Sequence, residues 1–433
     1  MTAYRTDGDF AHEMDSSDPL ASVRNLFHFP KTKEGKEVIY LCGNSLGLQP
    51  KGVEEAVRQE LEDWKNMGVE GHFHARLPWL PYHKLLTEQM ADLVGAKPVE
   101  VVAMNGLTVN LHLMMVSFYR PTPKRHKIVI EAHAFPSDRY AVASQIRYHG
   151  FSPTDSLIEW QPRLGETTLH TKDLEGLLEK EGDRVALLLI GAVNYYTGQF
   201  FDLERITRAA HAKGCVVGWD LAHAAGNVPL KLHEWDVDFA CWCSYKYLNG
   251  GPGGVAGNFV HERHADNPEL PRFCGWWGHD QTTRFKMGPD FHASAGAEGW
   301  QLSNPPILSL AAVKASLDIF ASIGMKALRE KSLALTGYLE FLLDALRTDA
   351  FTIMTPRDPN QRGCQLSIIM KENGRRIFDA LSLNGVCCDW REPNCIRIAP
   401  VPLYNRFADV YDFAAILGAQ LARFEPHPKV DLK

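Results

Sequence analysis

Stretches of continuous apolar residues alternate with amphipathic stretches through the middle of the chain. The apolar runs at 127–130, 185–193 and 215–220 predict buried strands. Between and around them, apolar residues three or four apart predict helices at 137–148 and 203–213. Buried strands separated by helices form parallel sheets covered on both faces, so this region is expected to be an α/β domain.

The two ends of the chain predict a second, smaller α+β domain. Apolar residues recur at helical spacing between positions 53 and 64, and again after the Asn-Pro-Pro sequence at 304–306. Two strands and a closing helix are then predicted at 364–370, 396–399 and 409–424. We therefore expect a large domain at 61–309 and a small domain formed by 1–60 and 310–433.

The composition fits a protein with a substantial core and no bias toward polyanionic partners. Of the 433 residues, 45% are apolar and 23% are charged, and the formal net charge is −6. This mildly acidic balance gives no electrostatic reason to bind nucleic acid or anionic membranes. The N-terminal sequence has no secretory signal, and the longest apolar run, 185–193, is too short to span a membrane. We expect a cytoplasmic protein with neither nucleic-acid nor membrane partners.

Nine cysteines are scattered along the chain without metal-ligand spacing. Cys241 and Cys243 are two positions apart, and Cys387 and Cys388 are adjacent. Neither spacing matches the C-x-x-C pairs of zinc and redox sites. The odd number and the apolar neighbours favour reduced thiols, so we expect no metal site.

A lysine follows the apolar stretch FACWC at 239–243. Lys246 lies in the sequence Ser-Tyr-Lys-Tyr and precedes a glycine-rich loop at 249–254. Burying an ammonium group without a partner is costly, so an ordinary lysine here would extend to the surface. The alternative is a lysine with a lowered pKa that forms an adduct with an aldehyde, as pyridoxal phosphate chemistry requires. The glycines would let the backbone pass close to a ligand, but they lack the dinucleotide-binding spacing.

A carboxylate and a histidine end the predicted strand that precedes this lysine. Asp220 closes the sequence CVVGWD, and His223 follows three residues later. Taken alone, Asp220 could be only a helix N-cap. With Lys246 on the next strand, it is also suited to pair with a protonated pyridine nitrogen, and His223 to hold that carboxylate or the ring.

Two further strand ends carry residues that begin helices. The turn 105–108 opens an apolar helix whose first N–H groups, with the Thr108 hydroxyl, suit a phosphate group. Phe135, Ser137 and Asp138 follow the strand at 127–130, and Phe135 could lie against a flat ring. The polar residues could equally be caps alone, and Phe135 a core residue. The order of phosphate turn, aromatic residue, aspartate and lysine is that of the aspartate-aminotransferase-like fold.

Nine collinear motifs between about residues 40 and 410 make the resemblance specific. They are NSLGLQP (44–50), AFPSDRY (134–140), YYTGQ (195–199), DLAHAAGN (220–227), DFACWCSYKYLNGGPGG (238–254), GWWGH (275–279), TTRFKM (282–287), SNPPI (303–307) and IRIAPVPLYN (396–405). In these motifs the chain resembles the kynureninases, pyridoxal-phosphate enzymes of fold type I in the class V aminotransferase superfamily. The resemblance implies a three-layer α/β/α large domain with a mostly parallel sheet, beside a smaller α+β domain.

The resemblance also assigns roles to individual residues. Lys246 is expected to bind the cofactor aldehyde covalently, Asp220 to pair with the pyridine nitrogen, and Tyr245 to take part in catalysis. The residues expected around pyridoxal phosphate are Leu107, Thr108, Phe135, Pro136, Ser137, Asp138, Asp220, His223, Tyr245 and Lys246. Trp276 and Asn304 are expected to reach the cofactor pocket of a neighbouring subunit, which implies a homodimer with shared active sites.

Four residues are expected to bind the substrate. Arg397 alternates with Ile396 and Ile398 on a predicted strand; alone it would read as a solvent-facing arginine, and the resemblance makes it the anchor of the substrate's α-carboxylate. The polar residues expected to face the substrate's aromatic ring are Ser45, His72 and Asn304. They suit a ring hydroxyl and therefore 3-hydroxykynurenine as well as kynurenine. Gly191 is a departure, because related eukaryotic sequences can have serine there.

The implied activity is hydrolytic cleavage of the Cβ–Cγ bond of kynurenine or 3-hydroxykynurenine, which yields anthranilate or 3-hydroxyanthranilate and alanine. Within the same fold, the alternative is a cysteine desulfurase, which needs a reactive cysteine; Cys274 is the candidate to check. A regulatory protein that has lost catalysis is disfavoured by the presence of Lys246, Asp220 and Arg397. A nicotinamide dehydrogenase is disfavoured by the missing dinucleotide fingerprint.

Overall fold

The computed structural model describes residues 4–424 except 266 and 268. These residues form two compact units. One unit contains Pro50–Tyr195 and Phe200–Met325, and it is called the large unit below. The other, the small unit, contains the described residues up to Gln49, the segment Tyr196–Gln199, and those from Lys326 onward. The domain boundaries expected from the sequence, at residues 60 and 309, stay a prediction.

Thirteen strands and thirteen α-helices are present in the described part of the chain. The strands are β1 (Ile39–Tyr40), β2 (Val101–Ala103), β3 (Lys127–Glu131), β4 (Leu157–Trp160), β5 (Val185–Gly191), β6 (Val216–Asp220), β7 (Phe239–Trp242), β8 (Gly257–Val260), β9 (Phe351–Ile353), β10 (Leu366–Met370), β11 (Val386–Cys387), β12 (Asp389–Arg391) and β13 (Cys395–Ile398). The helices are α1 (Gly8–Ser16), α2 (Gly52–Met67), α3 (Gly71–His74), α4 (Thr87–Val94), α5 (Leu107–Phe118), α6 (Pro136–Tyr148), α7 (Pro153–Ser156), α8 (Thr171–Glu181), α9 (Leu203–His211), α10 (Ile307–Ile323), α11 (Met325–Ala345), α12 (Gly374–Leu383) and α13 (Phe407–Phe424).

The large unit is built on a seven-stranded sheet in the order β2-β8-β7-β6-β5-β3-β4. Strand β8 runs antiparallel to β7 and β2, whereas the pairs from β7 through β6, β5 and β3 to β4 are parallel. The parallel strands read as continuous apolar runs because both faces of the sheet are covered. The mostly parallel α/β sheet expected from the sequence is therefore confirmed.

An apolar core fixes the strands of the large unit against helices α5 and α6. Ile128 and Ile130 of β3, Leu187 of β5 and Phe239 of β7 are fully buried in it, together with Met114 of α5. The burial of such side chains stabilises the folded state by roughly 1.5–3 kcal/mol each. This core holds the carboxyl ends of β3, β5, β6 and β7 at one edge of the sheet, where the polar residues lie.

The small unit joins residues from opposite ends of the chain. Its four-stranded antiparallel sheet has the order β12-β13-β10-β9, and β1 pairs in parallel with β11. Helix α13 begins where the Asp15 carboxylate accepts hydrogen bonds from the Phe407 and Ala408 amides, at 2.6 and 3.1 Å. The pairing of β1 with β11 and the hydrogen bonds to Asp15 each join the first fifty residues to the last fifty described residues.

The helices bear on the expectation that the chain has no membrane-spanning segment. Among the described residues, none of the helices taken singly has both the length and the apolar composition needed to cross a membrane. The pair α10 and α11 meets that requirement only when both helices are counted together across the bend between them.

Candidate active site

A cavity of about 310 Å³ lies at the carboxyl ends of β3, β5 and β6 in the large unit. Ligands of open parallel sheets bind at this edge, because the loops that follow the strands diverge there. The described residues that line the cavity are Gly106, Leu107, Thr108, Val109, Glu131, Phe135, Ser137, Asp138, Gly191, Val193, Tyr195, Asp220, Ala222, His223, Tyr245 and Lys246. Nine of the ten cofactor residues expected within one chain line it; the tenth, Pro136, is the first residue of α6.

Lys246 lies in the wall of this cavity, in the turn that follows β7. Its Nζ is 3.0 Å from Nε2 of His223, so the two nitrogens share a hydrogen bond. The same amine lies 5.7 Å from the ring centre of Phe135 and 5.9 Å from that of Tyr245. The lysine therefore does not extend away to the surface but is held among aromatic side chains, with a titratable partner.

The glycine-rich loop after Lys246 packs around Ser244. A Cβ atom on Gly250 would lie 2.7 Å from the Ser244 Oγ, and one on Gly254 would lie 2.6 Å from it. Neither glycine is among the residues that line the cavity. The expectation that these glycines bring the backbone close to a ligand therefore stays a prediction. Their small size lets the loop pack against Ser244, two residues before Lys246.

Asp220 ends β6 and is buried in the cavity wall. Its Oδ1 accepts a hydrogen bond from the Ala222 amide at 2.7 Å, which fixes the direction of the carboxylate. On the neighbouring strand, Gly191 is its register partner. No helix begins directly after Asp220 in the described chain, so this contact belongs to a turn and is not the helix N-cap considered from the sequence; the residue also lines the cavity.

Two further carboxyl groups, those of Glu131 and Asp138, lie close to Asp220. Burial raises the pKa of Asp138 well above its ordinary value, and the charge and hydrogen bond of Asp220, with the charge of Glu131, act in the same direction. Burial, with a smaller contribution from the Asp220 charge, raises the pKa of Glu131 to about 7. The protonated form of Asp138 is therefore favoured, and in that form its carboxyl group can donate a hydrogen bond to the Asp220 carboxylate.

Two helix N-termini also contribute to the lining of the cavity. Helix α5 begins at Leu107 after Gly106, and α6 begins at Pro136 after Phe135; neither preceding residue caps its helix with a side chain. Thr108 in the first turn of α5 and Ser137 in the first turn of α6 share a hydrogen bond between their hydroxyl groups at 2.9 Å. Backbone N–H groups, two helix dipoles and two hydroxyls together suit a phosphate dianion.

Arg397 is placed in the small unit, on β13. It is fully buried, not solvent-facing, and its guanidinium is paired with the carboxylate of Asp389, its register partner on β12. The Ser45 hydroxyl lies 3.2 Å from the guanidinium and 2.6 Å from the Asp389 carboxylate, to which it donates. Arg391 adds a second guanidinium to Asp389 at 3.1 Å. The sequence pattern did not reveal this network, because Asp389 lies in a short polar strand.

Three further residues expected at the site, His72, Trp276 and Asn304, do not line the cavity of the large unit. His72 lies edge-on to Trp79, with ring centres 5.4 Å apart. Trp276 and Asn304 are exposed, and neither lines the cavity. Their expected roles, toward the substrate ring and toward a neighbouring subunit, stay predictions.

Glu131 and Tyr195 line the cavity although the sequence analysis did not single them out. Glu131 carries the signal by which Asp220 was found, namely a carboxylate at the carboxyl end of an apolar strand. Tyr195 lies edge-on to Phe135, with ring centres 5.2 Å apart, and so extends the aromatic side of the cavity. Its position in the motif YYTGQ gave no chemical reason to expect this contact.

Comparisons with known proteins agree with this arrangement. Residues 328–417 match the family described as the kynureninase C-terminal domain. A kynureninase of Koribacter versatilis is 60% identical over 419 residues, which are 97% of this chain and 99% of that protein. A kynureninase of Nematostella vectensis is 50% identical over 441 residues, with 97% and 95% covered.

Solved structures share the fold at much lower identity. A cysteine desulfurase from Thermococcus onnurineus NA1 has a TM-score of 0.75 and covers 98% of this chain and 100% of its own, at 18% identity. A cystine C–S lyase in complex with its product cysteine persulfide has a TM-score of 0.76 at 17% identity, with 90% and 98% covered. These likenesses show the type I fold expected from the sequence, whereas identities of 50–60% over nearly the whole length decide the family. The chain belongs to the kynureninase family.

Proposed function

We propose that this chain hydrolyses the Cβ–Cγ bond of kynurenine, 3-hydroxykynurenine or both, using pyridoxal phosphate. The products are anthranilate or its 3-hydroxy form and alanine, as in tryptophan breakdown or the supply of a precursor for NAD synthesis. The observation that carries the proposal is the contact between Lys246 and His223 in a cavity that is also lined by the hydroxyl-bearing Thr108 and Ser137 and by Asp220.

The residues of the cavity fit pyridoxal phosphate at each of its functional groups. Thr108 and Ser137, at the starts of α5 and α6, would hold the phosphate. Asp220 would face the ring nitrogen, where a carboxylate favours the protonated pyridine. Phe135 would lie against the ring, and Lys246 would bind the aldehyde. When bound, the cofactor supplies an aldehyde that takes up the substrate amine and a ring that accepts electrons released at the substrate's carbon atoms.

Lys246 and His223 handle protons in this proposal. The Lys246 amine, once replaced by the substrate amine, is the base that removes the proton from the substrate's Cα. His223 holds the amine in place through the 3.0 Å contact. The protonated form of Asp138, which burial and the Asp220 charge favour, would donate a hydrogen bond to Asp220, the carboxylate proposed to face the ring nitrogen.

Tyr245 is the proposed donor of the proton that completes alanine. Burial, and then the neighbouring Cys243 thiol, raise the pKa of Tyr245, so its hydroxyl keeps its proton at all working pH values. We expect Tyr245→Phe, which keeps the ring beside Lys246, to lower kcat by about 10²-fold, the usual contribution of one positioned proton donor. Steady-state formation of anthranilate measures this; full turnover in the variant would remove the assignment.

Arg397 is assigned to the substrate's α-carboxylate, because a guanidinium binds a carboxylate with two parallel hydrogen bonds. Arg397→Lys keeps a positive charge opposite Asp389 but loses the paired geometry. We expect kcat/KM to fall about 10- to 100-fold, mainly through KM, since one or two charge-assisted hydrogen bonds are lost. Initial rates over a range of kynurenine concentrations test this. An unchanged KM would place the carboxylate elsewhere.

We further propose a homodimer in which Trp276 and Asn304 complete the cofactor pocket of the neighbouring subunit. The support is their exposure on the large unit, together with the resemblance of the motifs GWWGH and SNPPI. The proposed location is the cytoplasm. Light scattering of the purified protein measures the assembly, and a monomer with full activity would contradict the shared site.

One experiment separates this function from that of a cysteine desulfurase. The purified protein should be yellow and should convert kynurenine to fluorescent anthranilate while releasing no sulfide from cysteine. The structure offers little to a desulfurase, since no cysteine is among the described residues that line the cavity and the exposed Cys274 is not one of them. A colourless protein, or sulfide release without anthranilate, would refute the proposed function.

A further inference from the structure

Among the described residues that line the cavity, Glu131 is the one with a carboxyl group that has no part in the function proposed above. It ends β3, which lies next to β5, and β5 lies next to β6. Neighbouring strands are about 4.8 Å apart, so the backbones of Glu131 and Asp220 are separated by about 10 Å across β5. The Glu131 side chain is buried, and it lines the cavity together with Asp138 and Asp220.

Gly191 ends β5, the strand between those that carry Glu131 and Asp220, and it has no side chain to separate these two residues. Its amide donates a hydrogen bond to the Glu131 Oε2 at 3.2 Å. A Cβ atom on Gly191 would lie only 2.9 Å from the Glu131 Oε1. Any side chain at position 191 would therefore have to displace the carboxyl group that now lies over the glycine.

We propose that Glu131 is a positioning residue whose carboxyl group, lying over Gly191, sets how many protons Asp138 and Asp220 hold between them. The inference rests on the proposed function, because the importance of those protons comes from the cofactor nitrogen that Asp220 would face. A negative charge on Glu131 favours the protonated form of Asp138.

Other titratable groups from several elements line the same cavity. They are Asp138 from α6, Tyr195 from the loop after β5, Asp220 from β6, His223 from the loop after β6, and Tyr245 and Lys246 from the turn after β7. The Lys246 charge opposes the carboxyl groups by favouring an ionised Asp138. The three carboxyl groups outnumber the one amine, which favours the retention of a proton among the carboxyl groups.

The unliganded protein gives the first test, through Glu131→Gln. Because burial raises the pKa of Glu131 to about 7, the folded protein holds this proton more tightly than the unfolded chain does. The resulting stability is complete below the ordinary value of 4.5 and is lost as the pH rises through about 7. We expect the Tm of the variant relative to the wild type to rise by a few degrees between about pH 5 and about pH 8.

The cofactor-loaded protein gives the second test, through its colour. A nearby negative charge favours the protonated, yellow form of the bound cofactor. Without the Glu131 charge, the pH midpoint at which the yellow band is lost should fall by on the order of one pH unit, as for a charge at about 10 Å. A purely structural role for Glu131 would lower activity without moving this midpoint.

Two further variants, Gly191→Ala and the control Glu60→Gln, are compared by the same pH midpoint. The added methyl group pushes the Glu131 carboxyl away without changing any charge, so the midpoint should move in the same direction as in Glu131→Gln. Glu60→Gln removes another buried carboxyl of the large unit, which bonds to Trp79 and Tyr82 at 2.8 and 3.0 Å, and should leave the midpoint unchanged.

Two results would overturn the inference. One is a midpoint and a pH–Tm curve for Glu131→Gln that superimpose on those of the wild type. The other, which applies even if Glu131→Gln does not fold, is an unmoved midpoint in Gly191→Ala. Failure of the proposed function is distinct, because it would appear in the wild type as absence of colour and of anthranilate, whereas the Tm comparison needs no cofactor.

Discussion

Lys246→Ala should lower kcat for kynurenine cleavage by about 10⁴-fold or more. The variant loses the amine that we propose both to bind the cofactor aldehyde and to remove the proton from the substrate's Cα. His223, which now shares a hydrogen bond with that amine at 3.0 Å, cannot replace it, because an imidazole forms no stable adduct with the aldehyde. Anthranilate fluorescence measures turnover, and the absorption spectrum reports whether the cofactor is still bound.

Two controls make the Lys246 result specific. Lys65→Ala removes an exposed lysine that pairs with Glu62 at 3.4 Å, and it should leave turnover and colour unchanged. Small primary amines added to Lys246→Ala should restore part of the activity, because they supply a base of the missing kind. Wild-type turnover in Lys246→Ala, or no difference between the two lysine variants, would show that Lys246 is not the catalytic amine.

Asp220→Asn should have the second largest effect, a loss of about 10³-fold in kcat. Asparagine keeps the shape of the side chain and the hydrogen bond from the Ala222 amide, so the fold should be maintained. It removes the negative charge that favours a protonated ring nitrogen, and losing the partner of a buried charge costs about 3–5 kcal/mol, which corresponds to about 10²–10⁴ in rate.

The neighbouring Asp138 adds an expected pH dependence to the effect of Asp220→Asn. When Asp220 loses its charge, the strongest electrostatic reason for Asp138 to stay protonated disappears, so Asp138 should ionise at a lower pH. Part of the lost rate should therefore return as the pH is raised. Rate profiles over pH measure this, with the exposed Asp155→Asn as a control of unchanged profile. An Asp220→Asn variant with wild-type kcat would exclude the pairing with the cofactor.

The sheet of the large unit could be predicted because its strands are continuous apolar runs. The apolar stretches KIVIE at 127–131 and VALLLIG at 185–191 favour buried parallel strands. Because ligands bind beyond the carboxyl ends of such strands, Asp220 could be expected at a cavity, and it lines one. The same rule applied to Glu131 would have found it. It was missed because the strand was expected to end one residue earlier, at 130.

The contacts between side chains could not be predicted in the same way. The hydrogen bond from Lys246 to His223 joins residues on different loops, and no spacing in the sequence encodes it. The burial of Arg397 depends on Asp389, which lies in a three-residue strand with no apolar pattern. Such contacts follow from strand pairing over long sequence separations, which local patterns do not contain.

The small unit has a consequence for synthesis of the chain on the ribosome. Strand β1, which ends at residue 40, pairs with β11, which begins at residue 386, and the Asp15 carboxylate binds the first amides of α13. About 350 residues must therefore be added, at roughly 5–20 per second, before the emerged N-terminal segment meets the strand it pairs with. For tens of seconds β1 is without the strand it pairs with, so this segment depends on protection from aggregation while the rest of the chain is made.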